Sequence, residues 1–144
     1  MTAEGLHVSQ RGDGPTVVLL HGLMATGDMF RWLADRLESR FRLVIPDLPG
    51  HGRSATVPGP YPVEAMAARV AATLETLGVR DAHVMGYSHG GTVAQQLTRD
   101  ATHLVRSLAL VAIAEVGHTM IWTHRDQLAR SLAEWWDGID QAQR

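Results

Sequence analysis

The run Gly86-Tyr87-Ser88-His89-Gly90-Gly91 contains the pattern G-x-S-x-G. It follows the largely apolar run Asp81-Ala82-His83-Val84-Met85 and opens a segment with helical spacing, the strand-turn-helix setting in which a nucleophile elbow is built. Ser88 is therefore the predicted nucleophile, with acyl transfer through a covalent intermediate as its chemistry. A serine pinned at so sharp a turn needs neighbours without Cβ atoms, which gives Gly86, Gly90 and Gly91 a steric reason. A second run, His21-Gly22-Leu23-Met24, comes directly after the apolar stretch Thr16 to Leu20. A glycine there lets the backbone turn its amides inward, and backbone N–H groups are what a tetrahedral oxyanion requires. The Leu23 N–H and the His89 N–H are the predicted pair of donors, aided by the helix that begins beside Ser88. A third run, Asp47-Leu48-Pro49-Gly50-His51-Gly52-Arg53-Ser54, has the residues of a compact turn and reads as structural. Asp47 and His51 sit too near one another, and on the wrong loop, to be taken as partners of Ser88.

These residues have to be positioned by an alternating series of elements. A weak strand at Leu6 to Ser9 leads through the turn Arg11 to Pro15 into Thr16 to Leu20, whose unbroken apolar character suits a strand buried on both faces of a parallel sheet. Asp28 is the predicted cap of the next helix, with Phe30, Leu33 and Leu37 on its inward face. Arg42 to Ile45 reads as a strand stopped by Pro46, and Val57 to Pro62 as a loop. Val63, Met66, Val70, Leu74 and Leu77 stripe a helix closed by Gly78. After the Ser88 strand, Val93, Ala94, Leu97 and Ala101 mark another helix, and Ser107 to Ile113 another buried-type strand. Leu128, Leu132, Trp135, Trp136 and Ile139 give a final amphipathic helix, after a less regular stretch containing Trp122. The alternation predicts right-handed βαβ crossovers and an open, mostly parallel α/β sheet with helices on both faces. In such sheets ligands bind beyond the carboxyl ends of the strands, where all three runs fall.

Composition narrows the chemistry further. A chain of 144 residues with 45% hydrophobic content has the size to bury about 68–70% of its unfolded surface. The net charge of −2, with no basic block, offers no electrostatic footprint for nucleic acid or an anionic membrane. All 13 basic residues are arginine, so lysine-based Schiff-base chemistry is excluded. Without cysteine there are no disulfides, thiol nucleophiles or thiolate-bound metals. The 8 histidines lack metal-ligand spacing and no phosphate-cradling loop is present, so neither metal nor organic cofactor is expected. No 18-residue apolar stretch spans a bilayer and the first residues lack a signal-peptide pattern, which gives a cytoplasmic expectation.

Taken together, His21-Gly22, Asp47 to Ser54 and Gly86 to Gly91 make the chain resemble the N-terminal half of an α/β-hydrolase fold protein of the esterase, lipase and carbon-carbon hydrolase type. The resemblance covers about Leu6 to Ile113 and implies a serine hydrolase ancestry. It makes Thr16 to Leu20, Leu43 to Pro46, Ala82 to Tyr87 and Ser107 to Ile113 the third to sixth strands of the family sheet. It also divides the chain into residues 1–116, the first part of the hydrolase core, and 117–144, the start of a cap or a tail helix. The expected partner is a small-molecule acyl substrate: an ester, thioester, lactone or related carbonyl compound.

The chain departs from the family after that point. Family members take their acid after the sixth or seventh strand and their histidine after the eighth, and strands seven and eight have no counterpart here. Glu115 is the candidate acid, and His118 and His124 read as surface or cap residues. Removing a triad base costs on the order of 10⁶ in kcat, so a truncated chain of this kind is expected to turn over feebly. The alternative is a non-catalytic binding or interaction protein that keeps the elbow as scaffold. A Ser107 to Ile113 strand left at a sheet edge would also invite self-association or a partner chain, unless Trp122 to Ile139 folds back to cover it.

Overall fold

A computed structural model of the chain describes residues 5–59, 61–111 and 125–144. The expectations placed on Glu115, His118, Trp122 and His124, on the end of the strand at Ile113, and on a boundary at residue 116 lie outside the described residues. Five strands form one sheet: β1 (Val8–Arg11), β2 (Thr16–Leu20), β3 (Arg42–Pro46), β4 (Ala82–Tyr87) and β5 (Val105–Val111). Their order is β1-β3-β2-β4-β5, with β1 antiparallel to β3 and the other pairings parallel. The predicted open, mostly parallel α/β sheet is what the chain adopts.

Strand alternation sorts the core into two layers. Val18 and Leu20 of β2, Val44 of β3 and Val84 of β4 face α2 (Val63–Thr76) and α3 (His89–Asp100). Val17, Leu19, Leu43, Ile45, Met85 and Tyr87 face α1 (Arg31–Leu37) and α4 (Arg125–Ala142). Such two-sided burial explains why β2 and β4 read as near-continuous apolar runs. The stripes of α2 and α3 behave as their spacing predicts, with Met66, Val70 and Leu74 buried on one and Val93, Ala94 and Leu97 on the other.

Four local expectations are corrected. The first strand is Val8–Arg11, because Leu6 is buried in the core and the His7 carbonyl oxygen takes the N–H of Asp47 before pairing with β3 begins. Asp28 is not the cap: the Thr26 hydroxyl accepts from the Asp28 N–H, and a 3-10 turn, Gly27–Phe30, precedes α1. β5 starts two residues early and is half-buried throughout, with Leu110 exposed, so it is not the fully buried strand its composition suggests. On α4 the inward stripe runs through Ala129, Leu132, Ala133, Trp136 and Asp140, and Trp135 points outward.

α4 does fold back, onto the sheet face beside α1. Its Trp136 is fully buried, packing edge-on to Phe41 at 5.6 Å and stacking on His83 at 5.8 Å. Ala109 and Val111 of β5 pack against the same layer. Among the described residues β5 pairs only with β4, so α4 covers a face of that strand and leaves its outer hydrogen-bonding edge unpaired.

Candidate active site

β4 ends at Tyr87 and α3 starts at His89, leaving Ser88 alone at the turn with φ 53° and ψ −118°. A left-handed φ at a serine is strained, at a cost of about 1–3 kcal/mol, and persists only where surroundings impose it. Here they do: the Ser88 N–H donates to the Val111 carbonyl at 3.1 Å, and the Ser88 carbonyl accepts from the Gly91 N–H at 2.8 Å. Ser88 occupies the N-cap position of α3, yet its side chain makes no cap hydrogen bond to the helix. Serine at an N-cap ordinarily spends its hydroxyl that way.

The flanking glycines differ in how strictly they are needed. A Cβ on Gly86 would lie 2.4 Å from the Gly90 carbonyl oxygen, and one on Gly90 would lie 2.2 Å from the Leu20 carbonyl oxygen and 2.5 Å from that of His21. The opposed atoms are backbone and have nowhere to go. At Gly91 the nearest atoms are 3.4 Å away, an ordinary contact. Thus helix α3 touches the end of β2 through Gly90, and the elbow and the His21-Gly22 loop become neighbours.

The pairing of β2 with β4 carries this further. Leu20 is registered with Gly86, so two residues on, Gly22 comes opposite Ser88. A Cβ at Gly22 would indeed meet the Tyr87 ring at 3.2 Å and its carbonyl oxygen at 3.5 Å. Leu23 follows at an exposed turn closed by the Ala25 N–H donating to the Gly22 carbonyl at 3.2 Å. Its neighbour Met24 holds φ 61°.

His21 is fully buried and structural. Its Nε2 accepts from the Leu48 N–H at 2.9 Å, which leaves the proton on Nδ1 to donate to the Gly22 carbonyl at 2.8 Å. One neutral tautomer is thereby fixed, tying the loop after β2 to the loop after β3. Burial, above all, pushes the His21 imidazole below its ordinary value. Asp47 completes that tie, with one carboxylate oxygen accepting from the Gly27 N–H at 2.7 Å and the other from the Arg53 N–H at 2.9 Å. Ser54 is buried and accepts from the His7 N–H at 3.0 Å. The Asp47 to Ser54 run is therefore the scaffold its composition suggests.

A polar cluster that the sequence reading missed lies five residues upstream of the elbow on β4. His83, registered with Ser107, meets the Ser107 Oγ through Nδ1 at 2.8 Å and Asp140 Oδ1 through Nε2 at 3.0 Å. Arg106 donates to the same Asp140 oxygen at 2.6 Å and to Asp81 at 2.7 Å. Serine, imidazole and carboxylate stand in line, but near the amino-terminal end of β4. At about 3.3 Å per residue, the cluster is roughly 16 Å from Ser88. It pins α4 to the sheet. Burial pushes the His83 imidazole down, while Arg106 and His83 together hold the Asp140 carboxyl below its ordinary range against the opposing effect of burial. Only a histidine inside an otherwise apolar strand and an aspartate inside an apolar helix stripe hinted at it.

Of the other described histidines, His51 is engaged with the Pro49 carbonyl, His103 with Glu75 and His7 with Arg53, while His89 opens α3 directly after Ser88. Among the described residues no group of three or more His, Asp or Glu is placed to hold a metal ion, and no helix is long and apolar enough to cross a membrane.

Comparison with known proteins agrees with this geometry. A family model described as the alpha/beta hydrolase fold matches residues 15–143. The chain is 40% identical over 107 residues to a pimeloyl-[acyl-carrier protein] methyl ester esterase of Chromobacterium violaceum, covering 74% of this chain and 40% of that protein. It is 43% identical over 89 residues to a magnesium-chelatase 30 kDa subunit of Rhodobacter capsulatus, covering 61% of this chain and 31% of that one. Among solved structures it is similar to a thermophilic esterase of Thermogutta terrifontis, with TM-score 0.69 and 33% identity over 73% of this chain and 39% of the other. A marine microorganism esterase shares the fold at TM-score 0.73 and 24% identity, over 88% of this chain and 50% of that structure. The chain thus spans less than half the length of the curated relatives it matches.

Proposed function

Because the chain belongs to the alpha/beta hydrolase fold family, we propose that it carries the nucleophile half of a serine hydrolase acting on an ester, thioester, lactone or related carbonyl substrate. The observation that carries this reading is the strained Ser88, φ 53°, at a strand-to-helix turn crowded so closely that Gly86 and Gly90 admit no side chain. Hydrolase relatives, esterases among them, lend it chemical company.

In this reading the Ser88 Oγ attacks the substrate carbonyl carbon and its proton passes to an imidazole base. The oxygen that becomes negative accepts from the backbone N–H groups of Leu23 and His89, the latter at the positive end of α3. Collapse of the tetrahedral intermediate expels the alcohol, thiol or ring oxygen, which takes the proton. Water then repeats the sequence and releases the acid. In the family order the acid and the base follow the serine. His21, His51, His83 and His103 hold partners of their own and do not serve as that base. His118 and His124 fall outside the described residues, as does Glu115, which stays the proposed acid.

A fluorophosphonate probe tests the reading, since it forms a bond from the Ser88 Oγ to phosphorus with loss of fluoride. Intact-protein mass spectrometry is expected to find one adduct on the natural chain and none on Ser88→Ala. An unlabelled natural chain at high probe concentration would favour a binding protein that retains the elbow as scaffold.

A further inference from the structure

The seam between α1 and α4 is not closed. Ala129 and Ala133 of α4, one turn apart, line a cleft of about 460 Å³ together with Leu37 at the end of α1. That volume falls among those of small-ligand sites, about 300–1,000 Å³. Leu37, Ala129 and Ala133 are buried and make an apolar floor, while Arg36, Arg40, Asp126 and Arg130 complete the lining. Arg40 stands two residues before β3 begins, at the amino end of that strand, so the cleft is remote from Ser88 at the carboxyl end of β4.

Charge in the cleft is one-sided. Arg36 pairs through Nε with Asp126 at 2.6 Å, and Arg40 pairs with Asp137. Arg130 reaches only the Asp126 backbone carbonyl, at 3.4 Å, and among the described residues no carboxylate pairs with it. Three arginines against two aspartates leave the cleft with one positive charge in excess, although the chain as a whole carries −2. An anion is therefore drawn here and not to the surface at large. Arg36 is also held in place, its Nη1 donating to the Trp32 carbonyl at 2.7 Å and its guanidinium carbon lying 5.8 Å from the centre of the Trp32 ring. A guanidinium fork fixed in this way loses little further freedom when it binds an oxyanion. Two arginines on one wall and a third on the other suit three separate oxygens, which a phosphate monoester offers and a single planar carboxylate does not.

We propose that the α1–α4 cleft binds a phosphate monoester, with its organic part on Leu37, Ala129 and Ala133 and its phosphoryl oxygens accepting from Arg36, Arg40 and Arg130. The bound ligand bridges the two helices. Ser88 takes no part in this site.

The test uses the full chain with phenyl phosphate, at low ionic strength because salt screens exposed charges. Isothermal titration calorimetry is expected to find one site, and the melting temperature is expected to rise with ligand concentration, since the ligand binds only the folded chain. Inorganic phosphate, which lacks the ring, and succinate, which lacks the third oxygen on one centre, are each expected to bind more weakly. Arg130→Gln breaks no described ion pair, so it is expected to melt with the natural chain while its affinity for phenyl phosphate falls about tenfold. Arg36→Lys keeps the charge without the fork and is expected to weaken binding in the same direction. Arg99→Gln, exposed on α3, and Ser88→Ala are expected to bind as the natural chain does. Neither heat nor a melting shift with phenyl phosphate, or unchanged affinity in Arg130→Gln, would overturn the site. Succinate binding as tightly as phenyl phosphate would overturn the phosphate assignment. Loss of binding in Ser88→Ala would place the anion at the elbow and overturn the cleft while leaving the nucleophile standing.

Discussion

Replacing Gly90 by alanine tests the elbow's construction with one methyl group. The new Cβ would sit 2.2 Å from the Leu20 carbonyl oxygen and 2.5 Å from that of His21. The Leu20 carbonyl ends the central strand β2, where it is registered with Gly86, and the His21 carbonyl follows on the loop that the buried His21 ring holds to Leu48, so relief requires moving either that segment or the whole first turn of α3. Overpacking of this kind costs about 1–3 kcal/mol and occasionally more. Two immovable partners put Gly90→Ala at the upper end, about 3 kcal/mol. For a chain of this size that lowers the melting temperature by roughly 10 °C. Gly91→Ala is the matched control one residue on. Its Cβ would have 3.4 Å of room, and alanine gains up to about 1 kcal/mol over glycine inside a helix. That variant is expected to melt at or slightly above the natural temperature. Thermal melts followed by circular dichroism read the difference, and fluorophosphonate labelling reads whether Ser88 keeps its pose, with Gly90→Ala expected to label more slowly. Gly90→Ala melting together with Gly91→Ala would show that helix and strand are not in the contact described, and the steric account of the elbow would fall.

Three further outcomes follow from the buried polar groups and from α4. Asp140→Ala leaves the His83 Nε2 and an Arg106 nitrogen without their acceptor, and is expected to cost about 2–3 kcal/mol in denaturant unfolding, with Asp140→Asn intermediate; an unchanged midpoint would mean that the cluster does not pin α4. Acid is expected to weaken the fold, because burial holds both His21 and His83 below their ordinary value of 6.5. Below that value the unfolded chain binds protons that the folded chain refuses, so the urea midpoint should fall from about pH 8 to about pH 5. A midpoint that rises on acidification would contradict the downward shift that burial gives both rings. Gly138 lies inside α4 with nothing within 4 Å of a would-be Cβ, so Gly138→Ala should raise stability by about 0.5–1 kcal/mol in the same assay.

What the sequence reveals and what it hides divide along physical lines. β2, β4, α2 and α3 are legible because each is long, strongly periodic and buried against the sheet, so local pattern and final environment agree. The G-x-S-x-G turn is legible because steric crowding restricts residue type, and the distances at Gly86 and Gly90 express that restriction directly. The start of the first helix is not legible because Thr26 and Asp28 both suit a cap, and only the path of the 3-10 turn chooses between them. The outward face of Trp135 is hidden in the sequence because the apolar stripe of α4 admits two adjacent tryptophans; the face is set by where Asp140 finds His83 and Arg106. Those last contacts join residues 34 and 57 positions apart, which no local pattern encodes. The half-burial of β5 is likewise a property of its place at the edge of the described sheet and not of its own composition.

The most direct test of the account is a crystal structure of the chain after reaction with an alkyl fluorophosphonate. The account predicts phosphorus bonded to the Ser88 Oγ, with the phosphoryl oxygen about 2.7–3.1 Å from the backbone nitrogens of both Leu23 and His89. An adduct on another residue, or a phosphoryl oxygen turned away from those two amides, would contradict it.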